Sequence, residues 1–527
     1  MANLINIGVN GLLSHQSALN TTGNNITNAN TPGYSRQRVE LATLPEYRSG
    51  NGYMGQGSSV VGINRIVDQF LINQLRSDTS VSSQLDMLTT LYGQLDGLLA
   101  DSSTGLAPAL QGFFDALQQA SLDPTSMPIR QVVLSAADTL AQRFGALYSQ
   151  LQNQERVINE QLAAVTEQTV GLANGIARLN QQIAQQSSVG AEPNALLDKR
   201  DEMLRQLAEL VGINVVDQGN GMVNVMVGNG QPLVVGNQAY SLSTQPSALD
   251  AHRDVIMFQG PGVQQEISQF LSGGQLGGLL RYRAEALDKS FNQLGQLALT
   301  VAEQFNALQI SGMDLDGDYG SELPTLFADI NSTELMQRRA VAIPGNTGDA
   351  QLDVAITDAT ALTGGEYRAT MRSGSWVVTT EPGGDVVDPA RHGFTLSERG
   401  TAANEGDSFL IRPTREGAGS IKKVMTDPRD LALAEPPLRI TAGESNSGLA
   451  ALEVVSSYPA PRPSSENIAA LFSELKVSVG ASGAVTLIVN GESVTGSLPP
   501  QGGVISLRYD EATDTYSLEA DAFGDES

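Results

Sequence analysis

Apolar residues recur at alternating steps of four and three near the start of the chain: Ile5, Val9, Leu12, then Gln16, Leu19, Gly23 and Ile26. A seven-residue repeat of this kind predicts one amphipathic helix, weakened where Gln16 and Gly23 stand in the stripe. The run Asn28-Ala29-Asn30-Thr31-Pro32-Gly33-Tyr34 ends it, because Asn, Pro and Gly in succession stop a helix. Residues 35–65 form an extended, Gly-rich arm with short apolar runs such as Ser59-Val60-Val61-Gly62-Ile63, which predict a loop or a weak hairpin. Helical spacing returns at Leu85, Leu88, Tyr92, Leu95 and Leu99, then breaks at Asp101–Gly105, Pro124 and Pro128. The next stripe is far longer. It runs through Leu140, Phe144, Leu147, Leu151 and Ile158 and, after one extra step, through Leu162, Val165, Thr169, Leu172, Ile176, Leu179 and Ile183. At 1.5 Å per residue this is a rod of roughly 65 to 70 Å, against a mean globular helix of about 11 to 12 residues. So narrow a stripe wants one or two long partner helices, and Leu287, Phe291, Leu294, Ala298, Val301, Phe305 and Leu308 supply one.

Between the two stripes the period changes to that of strands. Ile213–Val216 and Met222–Val227 flank Gly219-Asn220-Gly221, a hairpin signal, and Leu233–Val235 and Val255–Phe258 add further strands. From about residue 340 helical stripes vanish. Tyr367–Met371 and Trp376–Thr379 read as one hairpin, Phe409–Ile411 as another strand, and Pro459, Pro461 and Pro463 as a linker. Beyond it, Val485–Val489 precedes the turn Asn490-Gly491, and Tyr509–Thr515 turns between two alternating strands. The expected fold is α+β and multidomain: a long, coiled-coil-like α-helical stem with β-rich outer domains. The expected divisions are an N-terminal assembly helix with its arm (1–65), a first stretch of helical stem (66–212), a β-rich insert (213–270), a second stretch of helical stem (271–339), an outer β domain (340–455) and a second outer β unit (456–527).

The N-terminal stripe has no evident partner inside the chain, because the Gly-rich arm separates it from the bundle. It must therefore fray or pack against copies of itself or other subunits. Composition then narrows the chemistry. With 31 Lys and Arg against 57 Asp and Glu, the net charge of −26 disfavours nucleic acid and anionic membranes as partners. The absence of cysteine excludes disulfides, Cys-ligated metals and thiol nucleophiles. His15, His252 and His392 are far apart in sequence, and no HExxH, Ser elbow or phosphate-cradling loop occurs. Asp314-Leu315-Asp316-Gly317-Asp318 has carboxylates at alternate positions, but an EF-hand loop wants Gly sixth and Glu twelfth, where Gly317 is fourth and Thr325 twelfth. It reads as an acidic turn. The expectation is a non-enzyme without cofactor or metal. The N-terminus has no basic region, apolar core or cleavage site of a secretory signal, and no run is long enough to insert in a membrane. Ordinary rules place such a chain in the cytoplasm, but a secretion route without a cleaved signal leaves the same pattern.

The stretch Asn24-Asn25-Ile26-Thr27-Asn28-Ala29-Asn30-Thr31-Pro32-Gly33-Tyr34 resembles the N-terminal signature of bacterial flagellar rod, hook and hook-associated proteins, with Thr27 for the usual Ala. Asn194-Ala195-Leu196-Leu197-Asp198-Lys199-Arg200-Asp201 resembles the Leu-Leu-Asp-x-Arg-Asp segment of the hook-associated protein 1 family of junction proteins. Gly274–Leu280, and Phe305-Asn306 followed by Gly312–Gly317, are similar to that family's next runs, although Gln309 stands where a His is common. The resemblance implies a structural subunit of the hook–filament junction, extracellular and exported without a cleaved signal. It implies a homo-oligomeric ring, with hook protein on one side and a second junction protein on the filament side. Ile5, Val9, Leu12, Leu19 and Ile26 would be its assembly interface, Asn24–Tyr34 the turn to the outer body, and Leu197, Asp198, Arg200 and Asp201 a stem motif. The family's chain ends in a long amphipathic helix that carries the export-chaperone site. No such pattern follows residue 466, so the chain is expected to be truncated before it. Two other readings stand beside this one: a surface adhesin, with Trp376 and exposed strand edges as its support, and a carboxylate-based hydrolase. Hook protein is the nearest competitor within the superfamily, and the Asp198–Asp201 segment and the long stripe argue against it.

Overall fold

The computed structural model describes residues 2–434, apart from 50–51, 100–104, 188–191, 319, 321–322 and 401, together with five strands further on. It divides into two units, Met1–Pro436 and Pro437–Ser527. Helix α1 (Ala2–Thr27) leads into a long antiparallel hairpin of β1 (Gln37–Thr43) and β4 (Ser58–Arg65), whose tip carries β2 (Tyr47–Ser49) and β3 (Gly52–Met54). The arm is thus paired from Gln37–Arg65 to Thr43–Ser58, with a bulge between Glu40 and Leu41. Its sequence signal is faint because neither strand has a buried face that would impose alternation.

The stem consists of α2 (Gln69–Leu99), α3 (Leu106–Leu122), α4 (Met127–Ser187) and α5 (Asn194–Leu210). Helix α4 has 61 residues, a rod of about 90 Å. It begins well before the predicted stripe because Pro128 occupies its first turn, where a missing N–H breaks no helical bond. Leu140, Phe144, Leu147, Leu151, Ile158, Leu162, Ile176 and Ile183 are all buried, each contributing about 1.5 to 3 kcal/mol relative to exposure. Between Leu151 and Ile158 the seam also holds a buried charge, Glu155.

The insert forms two sheets. Strands β5 (Ile213–Asp217), β6 (Val223–Val227), β7 (Gln231–Val235) and β8 (Gln238–Ala239) pair in chain order, and β9 (Ser241–Pro246), β10 (Asp254–Gly260) and β11 (Val263–Glu266) form the second. Helix α6 (Gly274–Tyr282) passes through a π-helical turn at Arg283–Leu287 into α7 (Asp288–Ser311). The glycine run of α6 lets it lie close against α2: a Cβ on Gly278 would sit 2.8 Å from Cβ of Met87. The rod does not rest on one or two long helices, as its stripe suggests. It meets α3, then α7, then α5 and strands β7–β9 in succession. A long straight seam can be covered piecewise, and periodicity alone does not tell the two arrangements apart.

Helix α8 (Thr333–Arg338) precedes a β-rich region. Strands β12 (Ala340–Ala342), β14 (Glu366–Arg372), β15 (Ser375–Glu381), β16 (Val386–Val387) and β18 (Ser408–Ile411) form one antiparallel sheet in the order β12-β18-β14-β15-β16. Strands β13 (Gln351–Ile356) and β17 (Phe394–Arg399) pair beside it, enclosing Val354, Tyr367, Ala369, Phe394 and Ile411. Trp376 meets Phe409 edge-on at 5.5 Å and donates to Glu398. A buried ionic joint ties this sheet to the stem. Arg415 pairs with Glu155 of α4 and Asp288 of α7, each at 2.9 Å, and lies 4.6 Å over the Phe291 ring, while Arg412 reaches Asp250 at 2.6 Å. Burial raises the pKa of Glu155, and Arg415 opposes that rise. Short helix α9 (Gly417–Ser420) follows.

In the second unit, β19 (Leu475–Val479), β20 (Ala484–Val489) and β21 (Glu492–Ser497) form a meander, and β22 (Gly503–Asp510) pairs with β23 (Thr515–Ala522). The Pro459–Pro463 linker, the Asn490-Gly491 turn and the loop between β22 and β23 lie outside the described residues.

Candidate functional site

Helix α1 is packed inside out. Ile7, Asn10, Ser14, Ser17, Thr21, Asn25 and Asn28 follow one another at steps of three and four, and this mostly polar face is the covered one. Ser14 is 2% exposed and its hydroxyl donates to the Ser58 carbonyl at 3.2 Å; Gly57 lies against Ile7. The apolar stripe faces outwards: Ile5 is 65% exposed, Val9 50%, Leu12 68%, Leu19 72% and Ile26 71%. A surface helix normally turns such a stripe to its core. Here the hairpin β1–β4 is satisfied by short polar side chains, so the apolar face is left over.

The helix ends in a hydrogen-bonded knot. Asn28 N–H donates to Asn24 O at 3.0 Å, and Asn28 Nδ2 donates to Asn24 Oδ1 at 2.9 Å. Asn25 Nδ2 donates to Gln37 O at 2.8 Å while its Oδ1 accepts from Gln37 N–H and from the Tyr34 hydroxyl, both at 2.9 Å. This fixes the angle between α1 and β1. Thr31 Oγ1 donates to Asn28 Oδ1 at 3.3 Å; Asn30 and Pro32 lie exposed in the turn. Gly33 has φ of +78°, and a Cβ there would lie 2.8 Å from Cβ of Glu202 on α5. The position therefore demands glycine twice over, for conformation and for space.

That contact brings together the two motifs singled out in the sequence. Asp198 Oδ2 accepts from Ser35 N–H at 3.2 Å, and Asp198 Oδ1 and Asp201 Oδ2 both accept from Arg65 Nη1 at 2.9 Å. Asp201 also faces Arg76 at 3.6 Å. Asn194 Nδ2 donates to Ile63 O at 2.5 Å. The start of β1 and the end of β4 are thus both clamped to one face of α5. Arg200 turns the other way and donates to Gly221 O at 2.6 Å, holding the β5–β6 turn; Leu197 is half-buried beside it. Burial lowers the pKa of Arg76 and of Arg200, the charge of Asp201 opposing in each case. For Tyr34, burial and then the Asp198 carboxylate raise it.

This is the chemistry of a structural clamp. Among the described residues no group of His, Asp and Glu is set to hold a metal ion, and no helix is long and apolar enough to cross a membrane. The acidic turn closes on itself: Asp314 Oδ1 accepts from the backbone of Asp316 and Asp318 at 2.9 and 2.8 Å, and Asp316 is paired with Arg429.

Flagellar hook-associated protein 1 of Escherichia coli K12 is 32% identical to this chain over 462 residues, spanning 85% of the chain and 82% of that protein. The chain belongs to the flagellar hook-associated protein 1 family. The relative in Salmonella typhimurium is likewise 32% identical, over 87% of the chain and 84% of its own length, and that in Bacillus subtilis 27% over 65% and 73%. Residues 92–323 match the flagellar hook-associated protein FlgK helical domain, and residues 5–34 match the flagella basal body rod protein family. The solved flagellar hook junction protein FlgK from Burkholderia pseudomallei superposes with a TM-score of 0.62 at 33% identity, covering 69% of this chain and 66% of that one. As a member of this family of flagellar structural proteins, the chain is a subunit of the junction between hook and filament. The adhesin and hook-protein readings are not favoured.

Sequence reasoning missed the residues on the other side of the clamp. Arg65, Arg76 and Ser35 were not singled out by any motif, whereas Asn194 heads the α5 motif itself. The available signal for Arg65 was its place as the last residue of an arm with no core, where a charge needs a fixed partner.

Proposed function

We propose that this junction subunit assembles through α1, with Ile5, Val9, Leu12, Leu19 and Ile26 packing against neighbouring copies in a ring. The observation that carries the reading is the inverted helix: its covered face is polar and its apolar stripe is exposed, the arrangement of a surface completed by another chain. The Asn24–Tyr34 knot sets the angle of α1, and the Leu197–Asp201 segment anchors it to the stem. Hook protein on one side and the second junction protein on the filament side are its axial neighbours. The subunit leaves the cell without a cleaved signal, delivered by an export chaperone, and does no enzymatic chemistry. Zero cysteine suits a chain threaded unfolded to an oxidising exterior.

The test is the double substitution Leu12→Asp, Leu19→Asp. Both side chains are exposed, so the purified subunit should keep its helical content and melting temperature within a degree or two. In cells lacking their own junction protein, the variant should be secreted but fail to support filament growth. Normal filaments from this variant would refute assembly through the stripe.

A further inference from the structure

Strand β5 is one of the two edge strands of its sheet. The Gln218 N–H donates to Met222 O, so in the antiparallel register Val216 and Asn214 also bond to β6. Ile213, Val215 and Asp217 then point their peptide N–H and C=O groups away from the sheet. Along this edge runs a groove of about 650 Å³. Its far wall is a polar stripe of α2, formed by Asn73, Arg76, Ser77, Ser80 and Gln84 at helical spacing, and Gly212, Gly228, Gly230 and Gly273 leave bare backbone in its lining. Arg76 is the one charged residue among the described lining. It belongs to a buried cluster of three guanidiniums (Arg65, Arg76, Arg200) around two carboxylates (Asp198, Asp201), and its Nε and the Ser80 hydroxyl are buried without a partner.

Natural sheets cover or blunt a free edge, whereas this one lies open beside a polar wall in which Arg76 is the one charge. The ligand that fits is an extended polypeptide, giving main-chain bonds to β5 and a carboxylate towards Arg76. We propose that the groove receives an extended, acid-bearing segment of a neighbouring copy of this chain, added as a strand to β5. The choice of a second copy rests on the assembly reading above and on charge: the chain has 57 acidic residues against 31 basic ones to offer to Arg76.

Because the chain has no cysteine, Val81→Cys at the exposed groove rim takes a single benzophenone maleimide label. Irradiation of flagella assembled from the labelled full chain should give a covalent dimer, with the attachment mapped to an acidic extended segment of the second copy. Val215→Pro removes one outward N–H and spares the β6 ladder; it should lower the dimer yield up to about tenfold, the equivalent of one main-chain bond of about 1.4 kcal/mol. Ser77→Asp, at the exposed rim, should lower the yield without touching the fold, and Ser77→Lys should not. Assembly without a dimer, crosslinking to a different protein, or a yield indifferent to Ser77→Asp would overturn the inference and leave the assembly reading standing. Failure of the unlabelled chain to incorporate would remove both.

Discussion

Removing the Asp198 carboxylate should detach the N-terminal arm without unfolding the stem. Asp198→Ala deletes the acceptor of Ser35 N–H and one of the two carboxylates facing Arg65, whose side chain is only 7% exposed. Breaking a buried ion pair by deleting one partner costs about 3 to 5 kcal/mol. Arg65 keeps Asp201 at 2.9 Å, which reduces that figure, and the orphaned Ser35 N–H adds about 1 kcal/mol. About 3 kcal/mol is the expected sum, or roughly two decades in the opening equilibrium of the arm. Hydrogen exchange read by mass spectrometry reports this directly. Peptides covering β1 and β4 should exchange on the order of a hundredfold faster, while peptides within α4 keep their protection. Asp198→Asn retains an acceptor for Ser35 and should lose less than half as much. Equal acceleration in α4, or none in the hairpin, would refute the clamp as the local fastener of the arm.

Two further outcomes follow from the geometry. Gly33→Ala forces an L-residue to a φ of +78° and drives its methyl into Glu202; a loss of about 1 to 2 kcal/mol from conformation alone, again confined to the arm, should appear in the same exchange experiment. Arg415→Met leaves Glu155 buried without its cation and should destabilise the subunit by about 3 to 5 kcal/mol at neutral pH in chemical denaturation. The pH dependence has a definite sign. The folded pKa of Glu155 is raised by burial, so its contribution to stability is full below the ordinary value of 4.5 and is lost as pH rises through the folded value. Arg415 limits that loss; hence the deficit of Arg415→Met should shrink towards acid pH, and a deficit independent of pH would count against the ionic joint.

The long stripes of α4 and α7 were legible, whereas α3, whose buried seam is only Phe113, Ala116 and Ala120, was not read. Leu140 to Ile183 announced α4 because every third or fourth residue along that seam loses water on folding. The hairpin β5–β6 was legible because Gly219 and Gly221 take positive φ at its turn. The arm was legible only as a loop or weak hairpin, since β1 and β4 bury almost nothing and are held in place by Asn25, Ser14 and Arg65, single polar contacts with no periodicity. The motifs marked the site, but only the fold could show that Ser35 and Asp198, 163 positions apart, share a hydrogen bond. The partners of the rod were misjudged for a related reason: a stripe specifies that a face is covered, not by how many elements.

The hairpin beneath α1 also changes the thermodynamics of the assembly proposed above. An unsupported 26-residue helix of this composition would have to fold as it docked, ordering its backbone at about 1 to 2 kcal/mol per residue from the gain of association. With Asn25, Ser14 and the knot holding it straight beforehand, docking becomes the meeting of two rigid surfaces, which raises affinity by lowering its entropic cost. In that proposed assembly the stability of the clamp on α5 sets the fraction of subunits competent to add, so Asp198, outside the α1 stripe, governs how tightly copies associate.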